Sequence, residues 1–260
     1  VLLNKTGELM SKTLATGFYL VFFSVFGINQ AYSACEDEAG PGVNWGLCDL
    51  SGKDLKNKDL SNAILAGANL ENADFYGALL ENADFNFANL VNTRFDKARM
   101  PNVRMVGIKA QGASFKSAVL DNSRFSRAQL NNANFTAARA ENTSFYEAEL
   151  ESAVFIDARL NESNFEQSNL THAKFNRAQL QQSIFRGARL HGTDFNTADL
   201  SKATFDESDC RGADFTDANL TRASFKKAEI EEAIFTGALL SRAIWSDYKR
   251  CRVRSIGECL

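Results

Sequence analysis

Groups able to do chemistry are sparse in this 260-residue chain. Its two histidines, His172 and His191, would give a metal only half of a tetrahedral ligand set. Cys251 and Cys259 flank a short segment containing Gly257 and are expected to form a disulfide if the chain is exported. Cys35 and Cys48 make a second candidate bridge, the alternative being that Cys48 fills a small core slot. Cys210 stands at a core-type position among leucines and reads as a buried free thiol. No glycine-rich phosphate loop, Ser-His-Asp arrangement or Cys-x-x-Cys pair occurs. The expectation is a protein that is not an enzyme, with no catalytic residues, no cofactor and no metal site.

The charged residues carry more pattern. Arg94, Arg99, Arg104 and Lys109 follow one another at five-residue steps, with Arg124, Arg139, Arg159, Lys174 and Arg189 beyond them. Nearer the ends the equivalent positions are acidic, as at Asp49, Asp54, Asp59, Asp74, Asp84, Asp194, Asp199, Asp209 and Asp214. Two readings stand side by side for the four basic residues. They form a solvated surface paired with acids such as Asp96 and Asp121, or a partner-binding girdle for an acidic protein or polymer. Asp54/Asp74 and Asp194/Asp214 recur at a spacing of twenty, a weak pattern for Ca²⁺.

The scaffold that must present these groups is written in a five-residue repeat. Every fifth residue from Leu50 to Trp245 is of core type, forty in register, and Phe occupies sixteen of them from Phe75 to Phe235. Two residues before the centre stands a small residue in 36 of the 40 cases, 27 of them Ala and nine Ser, Thr or Cys. An α-helix would move successive centres about 140° around its axis, so no face could bury them all. A straight strand would point them alternately to opposite faces. One interior can hold all of them only if the chain turns at each repeat, as in a solenoid. From Leu70 onward Leu-type and Phe-type centres alternate, which favours an even number of sides: four per coil and Phe ladders on two opposite faces. Asn62, Asn72 and Asn82, with Gly67, Gly77 and Gly107, stand where tight corners need a left-handed backbone. The Ala column keeps the coil narrow, and about ten coils make a rod roughly 50 Å long.

Runs such as Ala68-Asn69-Leu70-Glu71-Asn72-Ala73-Asp74-Phe75 resemble the A(D/N)LXX signature of the pentapeptide-repeat family. The resemblance spans about residues 48–247. It implies an all-β fold, a right-handed four-sided parallel β-helix. Residues 35–47 are then expected to be an N-terminal cap with Trp45 over the first coil, and residues 248–260 a C-terminal cap behind Trp245 and Tyr248.

Residues 1–34 differ in kind. Lys12, the apolar run Leu14–Ile28, and Ala31 and Ser33 form the basic, apolar and small-residue parts of a signal peptide, with translation from Met10 as an option. The run is short for a membrane span. A membrane association follows only if this segment is retained or Cys35 is lipidated. The expected location is the periplasm or outside the cell, or a thylakoid lumen if the source is photosynthetic. A formal charge of −3 points away from nucleic acid. The leading expectation is an exported, non-enzymatic rod for protein–protein interaction or envelope scaffolding, its partner unknown. The alternatives are a cytoplasmic DNA-mimicking topoisomerase-binding protein, which the resemblance suggests, and a calcium- or carbohydrate-binding surface.

Overall fold

A computed structural model describes residues 35–260; the expected signal segment lies outside the described residues. Parallel β-bridges join each outward residue to the one twenty positions on, from Asn44↔Ile64 to Ser224↔Ile244. A bridge spacing of twenty with four bridges per coil is the four-sided solenoid that the Leu/Phe alternation favours. Side 1 carries outward residues 44, 64 and so on to 244; side 2 runs from 49 to 229, side 3 from 54 to 234, and side 4 from 59 to 239. Each rung is closed from both directions. Ile64 N–H donates to the Val43 carbonyl (2.9 Å), and Trp45 N–H donates to the Ile64 carbonyl (2.8 Å).

Between sides the chain turns through a four-residue bend. Ala133 N–H, for example, donates to the Leu130 carbonyl at 2.9 Å. The third residue of each bend has positive φ, at every fifth position from Gly42 to Arg242. That is the left-handed conformation glycine and asparagine tolerate best, although most of these corners hold other residues.

Centres and small residues all point inward. Phe side chains stack between coils, as in Phe155 over Phe175 (4.7 Å between centroids, 1° between planes). Across the interior, rings from opposite sides meet edge to face, as in Phe145 and Phe155 (5.8 Å, 83°). Both arrangements suit the aromatic quadrupole. Hydroxyls that replace Ala are satisfied by the preceding coil or by their own bend: Thr93 Oγ1 donates to the Leu70 carbonyl (2.8 Å) and Ser163 Oγ to that of Ala140 (2.8 Å), while Ser168 Oγ donates to the Phe165 carbonyl (2.7 Å). In residues 101–110 the volumes are exchanged. Val103 and Ile108 fill the small slots while Met105 and Ala110 take the centres, all fully buried. The side-1 Phe column breaks at Met105, and Ser123 Oγ bridges the opened corner, accepting from Val103 N–H (3.2 Å) and donating to the Met100 carbonyl (3.1 Å).

The ends differ from expectation in two places. The turn-and-bridge pattern already includes Pro41–Trp45, and Trp45 is a fully buried centre of the first coil rather than a lid above it. Lys53 and Lys58 occupy small-residue positions of that coil, which no preceding coil confines, and Lys53 Nζ lies 4.6 Å from the Trp45 ring centroid. At the other end Trp245 packs on Phe235 (4.9 Å), but Tyr248 is exposed and closes nothing. The chain instead doubles back, forming antiparallel bridges Ile244↔Arg250 and Leu239↔Ile256.

Candidate interaction surface

The bridge residues and the corners form outward columns, each repeating at one coil per step. Arg94, Arg99, Arg104 and Lys109 lie on sides 3, 4, 1 and 2, so they ring the rod and face four directions. Arg94 contacts Asp74 (3.3 Å) and Asp96 (3.0 Å) and stacks on Tyr76 (4.5 Å to the centroid). Arg104 contacts Asp84 at 2.7 Å. Among the described residues, Arg99 and Lys109 have no acidic group within 4.0 Å. Half of the girdle is therefore locally paired, as are Arg139 and Asp121 at 2.7 Å.

Both expected cysteine pairs are bonded, Cys35 to Cys48 and Cys251 to Cys259, with Cα–Cα distances of 5.5 and 4.7 Å. The first ties residues 35–40 to the opening coil. The second closes the loop that carries Ile256 of the antiparallel return. Cys210 is the free thiol, fully buried. His172 and His191 are neighbours, their ring centroids 5.9 Å apart, and no cluster of three or more metal-ligating side chains exists among the described residues. Asp54 and Asp74 are bridge partners, with Lys56 Nζ between them at 3.1 and 3.6 Å. A lysine thus occupies the place where a cation would sit.

The corner between sides 4 and 1 carries a pattern that reading by fives misses. An open groove of about 270 Å³ is lined there by Asp121, Asn122, Glu141, Asn142, Asn161 and Glu162. Farther along the same corner is a second groove, about 370 Å³. Three rungs line it, Ser201-Lys202, Thr221-Arg222 and Ser241-Arg242, together with Val253 of the C-terminal loop. Among the described residues, none of these three cations has an acid within 4.0 Å, nor do Glu141 and Glu162 have a cation. Some corner cations elsewhere do sit over an acid one coil away, as Arg177 on Asp157 (2.7 Å) and Arg127 on Glu147 (2.6 Å). The signal was present in every twentieth residue: Asn62, Asn82, Asn102, Asn122, Asn142, Glu162, Gln182, Lys202, Arg222, Arg242.

Family models for a pentapeptide repeat region match residues 78–155 and 158–235, and one for eight pentapeptide repeats matches residues 47–82. The chain belongs to the pentapeptide-repeat family. No curated protein sequence matches it. Among solved structures it is similar to HetL, a pentapeptide repeat protein involved in heterocyst differentiation regulation in the cyanobacterium Nostoc sp. strain PCC 7120 (24% identity over 76% of this chain and 91% of that one, TM-score 0.43). It is also similar to QnrB1, a plasmid-mediated fluoroquinolone resistance protein (20% identity, 65% and 88% covered, TM-score 0.39). A third is a pentapeptide repeat protein of the Arabidopsis thaliana thylakoid lumen (27% identity, 42% and 65% covered, TM-score 0.30).

Proposed function

We propose that this pentapeptide-repeat protein is an exported, non-enzymatic rod, right-handed, about ten coils long and capped at both ends, that presents columns of side chains to a protein or envelope partner. The observation that carries export is the pair of disulfides, one near each end of the rod. Bridges of this kind persist in oxidising compartments and are rare where thiols are kept reduced. The apolar run Leu14–Ile28 with small residues behind it supports the same reading. The rungs facing solvent are fixed by backbone pairing on either side, which suits recognition of a surface more than turnover of a substrate.

The test is localisation together with thiol state. Residues 1–40 are fused to a reporter active only outside the cytoplasm, and the mature chain is analysed by N-terminal sequencing and non-reducing mass spectrometry. The expected result is an active reporter, a mature start close to Ser33–Cys35, and two disulfides with one free thiol. A full-length cytoplasmic protein with five reduced cysteines would overturn export. It would also return weight to the topoisomerase reading, which the interspersed arginines of the mid-rod otherwise disfavour.

A further inference from the structure

We propose that the corner between sides 4 and 1 binds a second copy of this chain, antiparallel, about a two-fold axis passing beside Gln181 and Gln182. Three stacked cations without intervening acids repel one another, and like charges on facing rungs destabilise a sheet. The acids that would relieve them lie on the same corner, on the opposite side of the neutral Gln181-Gln182 rung. A two-fold axis at that rung exchanges the two grooves. Glu162, one coil before it, meets Lys202 of the second copy, one coil after it; Glu141 meets Arg222 in the same way.

The columns beside the corner obey the same symmetry. On side 4, Arg159 falls opposite Asp199 of the second copy. Arg159 has no acid within 4.0 Å among the described residues, and the Asp199 carboxylate is held by the amides of Gln181 (2.6 Å) and Asn219 (3.0 Å) rather than by a cation. Leu239, 45% exposed, falls opposite Val119, and on side 1 Ile184, 37% exposed, lies at the axis against its own counterpart. No like-charged rungs are brought together. Both partners share one coil spacing, so the register holds over the whole strip, which is what an isologous contact requires. A strip about 30 Å long and roughly 10 Å wide on one corner covers less than the roughly 800 Å² per partner of a stable dimer. Charge therefore carries the association, and salt weakens it.

Sedimentation equilibrium of the full chain in 50 and 500 mM NaCl tests this. The expected result is a dimer at low salt whose dissociation constant rises at least about tenfold at high salt. K202E/R222E is expected to be monomeric, as is E141R/E162K, each with unchanged circular dichroism. Combining all four substitutions restores the dimer, an outcome that damaged folding cannot imitate. A wild-type monomer at both salts, or a combined variant that stays monomeric, overturns the proposal. So does a monomer whose basic groove binds polyphosphate, which would assign the groove to a polyanion.

Discussion

At the level of single residues, the inward positions are over-determined. Ala133 is fully buried, its side chain in a layer of stacked Phe and Leu. Ala133→Leu adds volume that no neighbour vacates, unlike Ile108, whose bulk is matched by Ala110 two residues on, on the same side. The expected loss is about 1–3 kcal/mol in chemical denaturation; an unchanged midpoint would mean the coil widens freely. Cys210 lies in the same interior, 3.2 Å from the Ser208 hydroxyl, and burial pushes its thiol up to about 12. Iodoacetamide at pH 8 is therefore expected to label no cysteine in the native protein and one after unfolding without reductant. Native labelling would place Cys210 outside the core. These inward roles were readable in the sequence because the period of five marks them directly. The outward charges were not, since a side chain's neighbour on the surface stands twenty residues away and its local partner two away, as Arg94 shows with Asp74 and Asp96.

At the level of the repeat unit, the corner is the expensive part. Each of its left-handed residues other than glycine costs about 1–2 kcal/mol against a right-handed conformation. Ala137, exposed with φ 56°, has neither the tolerance of asparagine nor the freedom of glycine. Ala137→Gly is expected to raise stability by about 0.5–1 kcal/mol, read from the urea midpoint. A decrease would show that the corner is held by something other than its backbone conformation. Gly107 is the reverse case, because a Cβ there would lie 2.8 Å from the Phe87 ring. Bridge carboxylates bond the turn that follows, and the corner carboxylate of Asp157 bonds the next coil. Hydrogen bonds from Arg211 to Asp209, Arg177 to Asp157, and Ser51 N–H to Asp49 lower those carboxyl groups below their ordinary range. Their folded pKa lies below the unfolded one, so the unfolded chain takes up more protons. The stabilisation is complete above about pH 4 and is lost as pH falls through the lowered values. Tm is expected to drop below about pH 4 and to drop less steeply in Asp209→Asn. A Tm that rises on acidification would reverse this sign. Reading by fives merges corners that hold Asn for conformation with corners that hold charge, since both occupy one position of the repeat; only the step of twenty separates them.

At the level of the whole rod, each coil touches only its neighbours, so stability is a chain of nearest-neighbour terms and failure begins at an end. The two ends are finished differently. At the C-terminal end, sides 4 and 1 of the last coil are covered by Ile256 and Arg250, bridged to Leu239 and Ile244. Sides 2 and 3 are not: among the described residues, Ile230 and Phe235 N–H find no backbone acceptor, and Ile230 and Ala233 are partly exposed. The covering segment is anchored by the Cys251–Cys259 bridge, with Cys251 buried. Hydrogen exchange should therefore be fastest at Ile230 and Phe235 in the oxidised protein and slowest around Phe155. Cys251→Ser/Cys259→Ser frees the cover, and protection at Leu239–Ile244 is expected to fall while that at Phe155 stays within about threefold of its former value. Equal loss of protection along the rod would instead mean that the coils unfold as one cooperative unit. In that case the end loop would set the stability of the whole solenoid rather than seal its last coil.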